Sequence, residues 1–201
     1  VLFQERSINT KLKATASRKP RADGARNRQL LMDAAKAGFA EIGINVSLEE
    51  IARRAGVGIG TLYRHFESRE AVVEAVYRRE VEQLAEAVPQ LLERSPPGEA
   101  LHRWMHLFVD YIATKRLVAP SLAAAAGGSS TMASSAELIK GALATLVQRA
   151  IAAGDVRKDI ESSDLLRALV GVSYSNPDPE WAASARRLID ILMDGLRRQD
   201  R

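Results

Sequence analysis

The segment from Ser47 to Phe66 constrains this chain more than any other. Ser47 followed three residues later by Glu50 has the spacing of a capping box, in which hydroxyl and carboxylate satisfy backbone N–H groups at a helix start. A helix therefore begins at Leu48, with Leu48, Ile51, Ala52 and Ala55 on its inward face. Gly56 can take the left-handed backbone conformation that turns the chain sharply, and Val57 plugs the corner. Gly58 opens a second short helix running to His65, in which Leu62 and Phe66, four apart, face the same core. Ile59, Gly60, Thr61, Tyr63 and Arg64 remain on the other face, free to meet a partner. Two short helices around a glycine turn, with one polar face exposed, read as a helix-turn-helix. An ordinary helical hairpin is the plainer alternative.

The rest of the chain shows no sustained period-two pattern, so the expected fold class is all-α. Leu31, Ala35, Phe39 and Ile42 form the stripe of a first helix that stops at Gly43. A long amphipathic helix starts near Ser68 and ends at Ser95-Pro96-Pro97-Gly98. The next carries Leu101, Met105, Phe108 and Ile112, and a shorter one from about Val118 ends at Gly127-Gly128. Gly127 to Ser135 reads as a loop or frayed helix start, followed by a helix from Leu138 to Ala153 closed by Gly154-Asp155. Two last helices, Asp164–Ser175 and Glu180–Arg198, flank the break Asn176-Pro177-Asp178-Pro179.

Charge supports a polyanion partner for the N-terminal part. Residues 1–70 hold 13 Lys/Arg against 8 Asp/Glu, whereas the remainder holds 16 against 17. Most of the excess lies in residues 1–28, a polar stretch with Pro20 and Gly24 that reads up to residue 24 as a flexible basic arm. Double-stranded DNA attracts such a tract by counterion release. A helix-turn-helix would place its second helix in the major groove, its first residues against base edges. Thr61, Tyr63 and His65 can hydrogen-bond phosphate oxygens, and the helix starts after Ser47 and Ser68 offer N–H groups to the same anions. Arg69 occupies the first turn of the long helix, where a cation opposes the macrodipole; a phosphate nearby would remove that conflict.

Residues 47 to 70, Ser-Leu-Glu-Glu-Ile-Ala-Arg-Arg-Ala-Gly-Val-Gly-Ile-Gly-Thr-Leu-Tyr-Arg-His-Phe-Glu-Ser-Arg-Glu, closely resemble the signature of TetR-type repressors. The elements Ile-Ala-x-x-Ala-Gly-Val and Gly-Thr-Leu-Tyr-x-x-Phe carry the resemblance, which is strong over about residues 26–80. It implies an all-helical homodimer with a three-helix DNA head and a body of about six helices. It further implies phosphate contacts by Ser47, Thr61, Tyr63, His65 and Arg69, with Ile59 and Gly60 at base edges. Arg64 would reach a guanine or a phosphate. Gly58 departs from the pattern, which often has a capping residue there, and Arg69 replaces the usual Lys with charge preserved. The corresponding domains are an arm at 1–24, a DNA-binding domain at 25–70, and an effector-binding and dimerisation domain at 71–201.

The body is expected to hold a pocket for a small-molecule effector, an uncharged or weakly polar one being favoured. Its candidate lining is Trp104, Met105, Phe108, Tyr111, Ile112, Met132, Leu143, Val147, Leu169 and Tyr174, although each of these taken singly suits plain core better than ligand contact. Dimerisation through the last two helices follows from their surplus of apolar positions: Leu165, Leu166, Leu169, Val172, Leu188, Ile191, Leu192 and Leu196. Ala168, Gly171 and Gly195 would permit close helix approach. A dimer matches the two half-sites of a palindromic operator.

Composition removes several rivals. With no cysteine, disulfides, thiolate metal sites and cysteine nucleophiles are excluded. No run of about 18 apolar residues is present, which argues against a membrane helix and for a cytoplasmic location. His102 and His106, four apart, have a spacing that can chelate a metal. Arg103 stands where a zincin carries its general base, and no third ligand is evident. They read as ordinary partly buried histidines, so neither a metal, a cofactor nor an enzymatic activity is expected. An architectural DNA binder without a ligand is disfavoured by the long, nearly neutral body.

Overall fold

The computed structural model describes residues 19–125, 128–174 and 180–197, and among these the secondary structure is helical throughout apart from one isolated bridge. Eight helices follow in order: α1 (Lys19–Glu41), α2 (Leu48–Arg54), α3 (Ile59–His65), α4 (Arg69–Arg94), α5 (Pro97–Ala124), α6 (Gly128–Ala153), α7 (Ser162–Tyr174) and α8 (Trp181–Leu196). The first three form a small head whose core is Leu31, Phe39, Ile51, Leu62 and Phe66. Helices α4 to α8 form the body, and α4 packs against α1 as well as against α5 and α6. None of the described helices is long and apolar enough to cross a membrane.

Three boundaries differ from the sequence expectation. Helix α1 begins at Lys19, so residues 19–24 are helical rather than part of an extended arm. Pro20 lies in the first turn, where its missing N–H has no intrahelical acceptor to lose. Residues 1–18 of that arm, and the break at 176–179, lie outside the described residues. The helix expected from Val118 is the continuation of α5, which runs through Pro120 without stopping. Pro120 is exposed, so the carbonyl it leaves unpaired can turn to water. Residues 128–135, read as a loop or frayed start, are the first turns of α6. The body accordingly has five helices among the described residues, not about six.

The stops are those the glycines dictate. Gly43, Gly56 and Gly154 have φ of 102°, 69° and 79°, a region in which a Cβ is strained. Gly98 is required for a different reason. The Asp155 carboxylate accepts from its N–H at 2.8 Å, capping α5 from the far end of α6. A Cβ at residue 98 would lie only 2.7 Å from that of Asp155. Trp104 is fully buried, and its indole N–H donates to the Leu84 carbonyl at 2.8 Å, fastening α5 to α4.

Candidate nucleic-acid interface and effector cavity

The head presents α3 as a helix with one buried side. Leu62 and Phe66 are 0% and 3% exposed. At about 100° per residue, Gly60 and Arg64 stand opposite that pair. Ile59 and Tyr63 form one flank, 37% and 50% exposed, and half-buried Thr61 and His65 form the other. Tyr63 and Arg64 have no hydrogen bond or ion pair among the described residues. Nothing lies within 4 Å of a Cβ built at Gly58 or Gly60, so the start of α3 is smooth and open. His65 sits beside α1, its ring 3.9 Å from where a Cβ of Gly24 would be.

Ser47 caps α2 as the sequence suggests, its hydroxyl accepting the Glu50 N–H at 3.1 Å. The second half of the capping box is absent. The Glu50 carboxylate instead takes Arg53 at 2.7 Å through two bonds and Arg54 at 2.7 Å. Hydrogen bonds from Arg53 and then Arg54 hold its carboxyl down at about 2. Arg54 also reaches Glu41 at the end of α1 at 2.7 Å. Arg28, on α1, stacks over the Phe66 ring at 5.0 Å, a contact that helical periodicity alone does not reveal.

Arg69 has a partner within the protein. Its guanidinium donates to the Ile44 carbonyl at 2.9 Å, latching the start of α4 to the α1–α2 loop. The conflict between its charge and the helix dipole is therefore answered in part by a backbone carbonyl. Ser68 caps the same helix, accepting the Ala71 N–H at 3.2 Å. A second tie joins head and body: the exposed Lys36 of α1 pairs with the buried Glu80 of α4 at 2.7 Å, and Thr114 of α5 donates to the same carboxylate at 3.2 Å.

A cavity of about 120 Å³ lies between α4, α5, α6 and α7. Phe108, Tyr111, Ile112, Met132 and Tyr174 line it, joined by Tyr77 and Lys115, which the sequence did not single out. Trp104, Met105, Leu143, Val147 and Leu169 are packed in the core and do not line it. The Tyr77 and Tyr111 hydroxyls are 3.2 Å apart in the wall, and burial pushes the Tyr111 phenol well above its ordinary range. Burial likewise raises Tyr174. Helices α7 and α8 sort their apolar residues clearly. Leu165, Leu169 and Leu196 are buried inside the chain and Leu166, Val172 and Leu192 half-buried, while Leu188 and Ile191 are 38% and 67% exposed. His102 and His106 also gain the third group that their spacing lacked, Asp190 of α8.

Comparison with known proteins agrees with this architecture. Residues 31–76 match the family model for bacterial regulatory proteins of the tetR family, and residues 96–198 match that of the SbtR-like transcriptional regulator C-terminal domain. A TetR transcriptional regulator from Streptomyces coelicolor is 43% identical, with a TM-score of 0.75 over 86% of this chain and 99% of that one. A TetR transcription regulatory protein from Mycobacterium vanbaalenii is 32% identical, with a TM-score of 0.74 over 89% of this chain and 99% of that one. A helix-turn-helix-type transcriptional regulator of Staphylococcus aureus is 35% identical over 78 residues, which span only 40% of that relative's length. With the helix-turn-helix, the helical body and both halves of the sequence in agreement, this chain belongs to the TetR family of bacterial transcriptional regulators.

Proposed function

We propose that this chain is a ligand-responsive DNA-binding regulator that represses as a homodimer on a palindromic operator and is released by a small-molecule effector. The observation that carries the reading is the unpartnered face of α3, with Tyr63 and Arg64 exposed against a fully buried Leu62. In the major groove, Gly60 allows close backbone approach to base edges, and Ile59 offers a methyl contact to thymine. Arg64 reaches a guanine or a phosphate. Ser47, Thr61, Tyr63 and His65 serve phosphates, and Arg69, while latched to Ile44, retains further N–H groups for the same purpose.

The dimer would form through α7 and α8. Ser184, Leu188, Ile191 and Gly195 share one side of α8 by helical spacing, turned away from buried Ala185, Ile189 and Met193. Gly195 and Gly171 have open space where a Cβ would be, which suits close helix approach by a second copy.

The effector would enter the cavity bounded by Tyr77, Phe108, Tyr111, Ile112, Met132 and Tyr174. Its volume is below the range of about 300–1,000 Å³ usual for ligand pockets, so binding must spread the surrounding helices. That supplies the differential affinity a population shift requires. Tyr77 is eight residues along α4 from Arg69, and α4 carries both ties to the head. Spreading at Tyr77 would tilt α4 and move the two heads out of register with successive grooves. A mobility-shift titration against DNA upstream of the gene tests the reading. Wild type should bind, and Tyr63→Ala and Arg64→Ala should each weaken binding; unchanged affinity in both variants would overturn it.

A further inference from the structure

Two of the three histidines in this chain converge with a carboxylate on one point of the body. His102 and His106 lie one turn apart on α5, and Asp190 comes from α8. The His102 Nε2 is 2.7 Å from Asp190 Oδ1, the His106 Nε2 is 3.0 Å from the same oxygen, and the two nitrogens are 3.2 Å apart. Three atoms able to ligate a metal thus converge within hydrogen-bonding distance: as Nε2–H tautomers both rings donate to the carboxylate oxygen, and as Nδ1–H tautomers both turn their Nε2 lone pairs to the centre, where a metal ion can accept them. A tetrahedral zinc ion about 2.1 Å from each ligand needs donor atoms about 3.4 Å apart. The observed edges of 2.7, 3.0 and 3.2 Å reach that by opening by about 0.2 to 0.7 Å.

The surroundings leave the position to such an ion. Arg186, one turn before Asp190, is held by Asp110 at 2.5 Å and by the His106 carbonyl at 3.3 Å. Arg103 is paired with Glu99. Neither arginine is therefore available to neutralise Asp190. The histidine side chains are 28% and 29% exposed and that of Asp190 53%, so ions can enter and water can fill a fourth position. Two imidazoles and one carboxylate form a donor set of borderline softness, suited to zinc, nickel, cobalt or copper rather than magnesium or calcium.

We propose that His102, His106 and Asp190 form a binding site for a divalent transition-metal ion, zinc above all, that braces α8 against α5. The brace falls on the flank of α8 that meets α5. Leu188, Ile191 and Gly195 occupy the other flank, so an ion here fixes the position of α8 and leaves its exposed apolar side uncovered. The site is independent of the DNA-binding reading and of any effector in the cavity.

The test uses the full chain, purified without a histidine tag, stripped with a chelator and titrated with zinc chloride. One zinc per chain is expected by calorimetry, with the thermal midpoint rising by about 5–10 °C at 100 times the dissociation constant. Cobalt should give the visible absorption bands of a four-coordinate site. His106→Asn and Asp190→Asn, with wild-type circular dichroism in the metal-free state, should each bind more weakly by over 100-fold, a larger loss than the roughly 10- to 100-fold caused by removing an outer-shell partner. If a variant fails to fold, the cobalt spectrum of the wild-type protein still decides the matter. Absence of stoichiometric binding by wild type, octahedral cobalt bands, or undiminished binding in both folded variants would overturn the proposal.

Discussion

The head and the body solve opposite problems with the same element. In the head, α3 is too short to be stable by itself and is held by Leu62 and Phe66, while Tyr63 and Arg64 have no hydrogen bond or ion pair among the described residues. In the body, α5 has twelve buried positions and spends most of its large apolar side chains on its neighbours, Leu107 and Leu117 remaining exposed. A surface meant for DNA must keep polar groups free, and a surface meant for helix packing must leave none. The lesson is that exposed side chains distinguish the head, whereas buried ones fix the positions of the helices in the body.

The sharpest attack on this contrast is the double variant Tyr63→Ala/Arg64→Ala. Losing two contacts of about 1–3 kcal/mol each should weaken operator binding by at least about 30-fold, read by fluorescence anisotropy, with the unfolding midpoint unmoved. Next is Trp104→Ala, which removes the largest core side chain and the bond to Leu84. It should cost about 3–5 kcal/mol in denaturant unfolding, yet leave DNA affinity per folded dimer intact; a matching loss of affinity would erase the distinction between the two regions. Ile191→Asp should forfeit about 1.5–3 kcal/mol of apolar burial per copy and shift sedimentation toward the monomer. Ser47→Ala removes the α2 cap and should lower stability by about 1 kcal/mol, with a larger fractional effect on DNA binding than on the body.

The smallest effect is one of pH. The folded-state value of the Glu50 carboxyl, about 2, lies below its ordinary 4.5. Its ion pairs therefore stabilise the head fully above about pH 4.5 and lose that contribution as pH falls toward 2. Glu50→Gln should flatten this acid dependence in the signals of the head, followed by amide exchange, and leave the body's signals alone.

The same contrast explains what could be read from residues alone. Gly56, Leu62 and Phe66 announce the head because a tight turn and a four-residue spacing are local facts. In the body, spacing marked α5 as buried on one side but could not separate Trp104, which is packed, from Tyr111, which lines the cavity. That separation depends on where α6 and α7 leave a gap. Asp190 escaped notice because it stands 84 and 88 residues from its histidines. Glu50 looked like half of a capping box because nothing in its spacing reveals that Arg53 and Arg54 outcompete a backbone N–H.

The latch between Arg69 and Ile44 has a consequence for how such a molecule can diversify. Arg69 grips a carbonyl, and every amino acid placed at position 44 brings one. The joint between head and body is thus largely indifferent to the sequence of the loop it holds. Heads that recognise other operators could be grafted onto this body with both contacts preserved, provided that Lys36 is kept to meet Glu80. The mechanical linkage is generic, and the reading face can vary on its own.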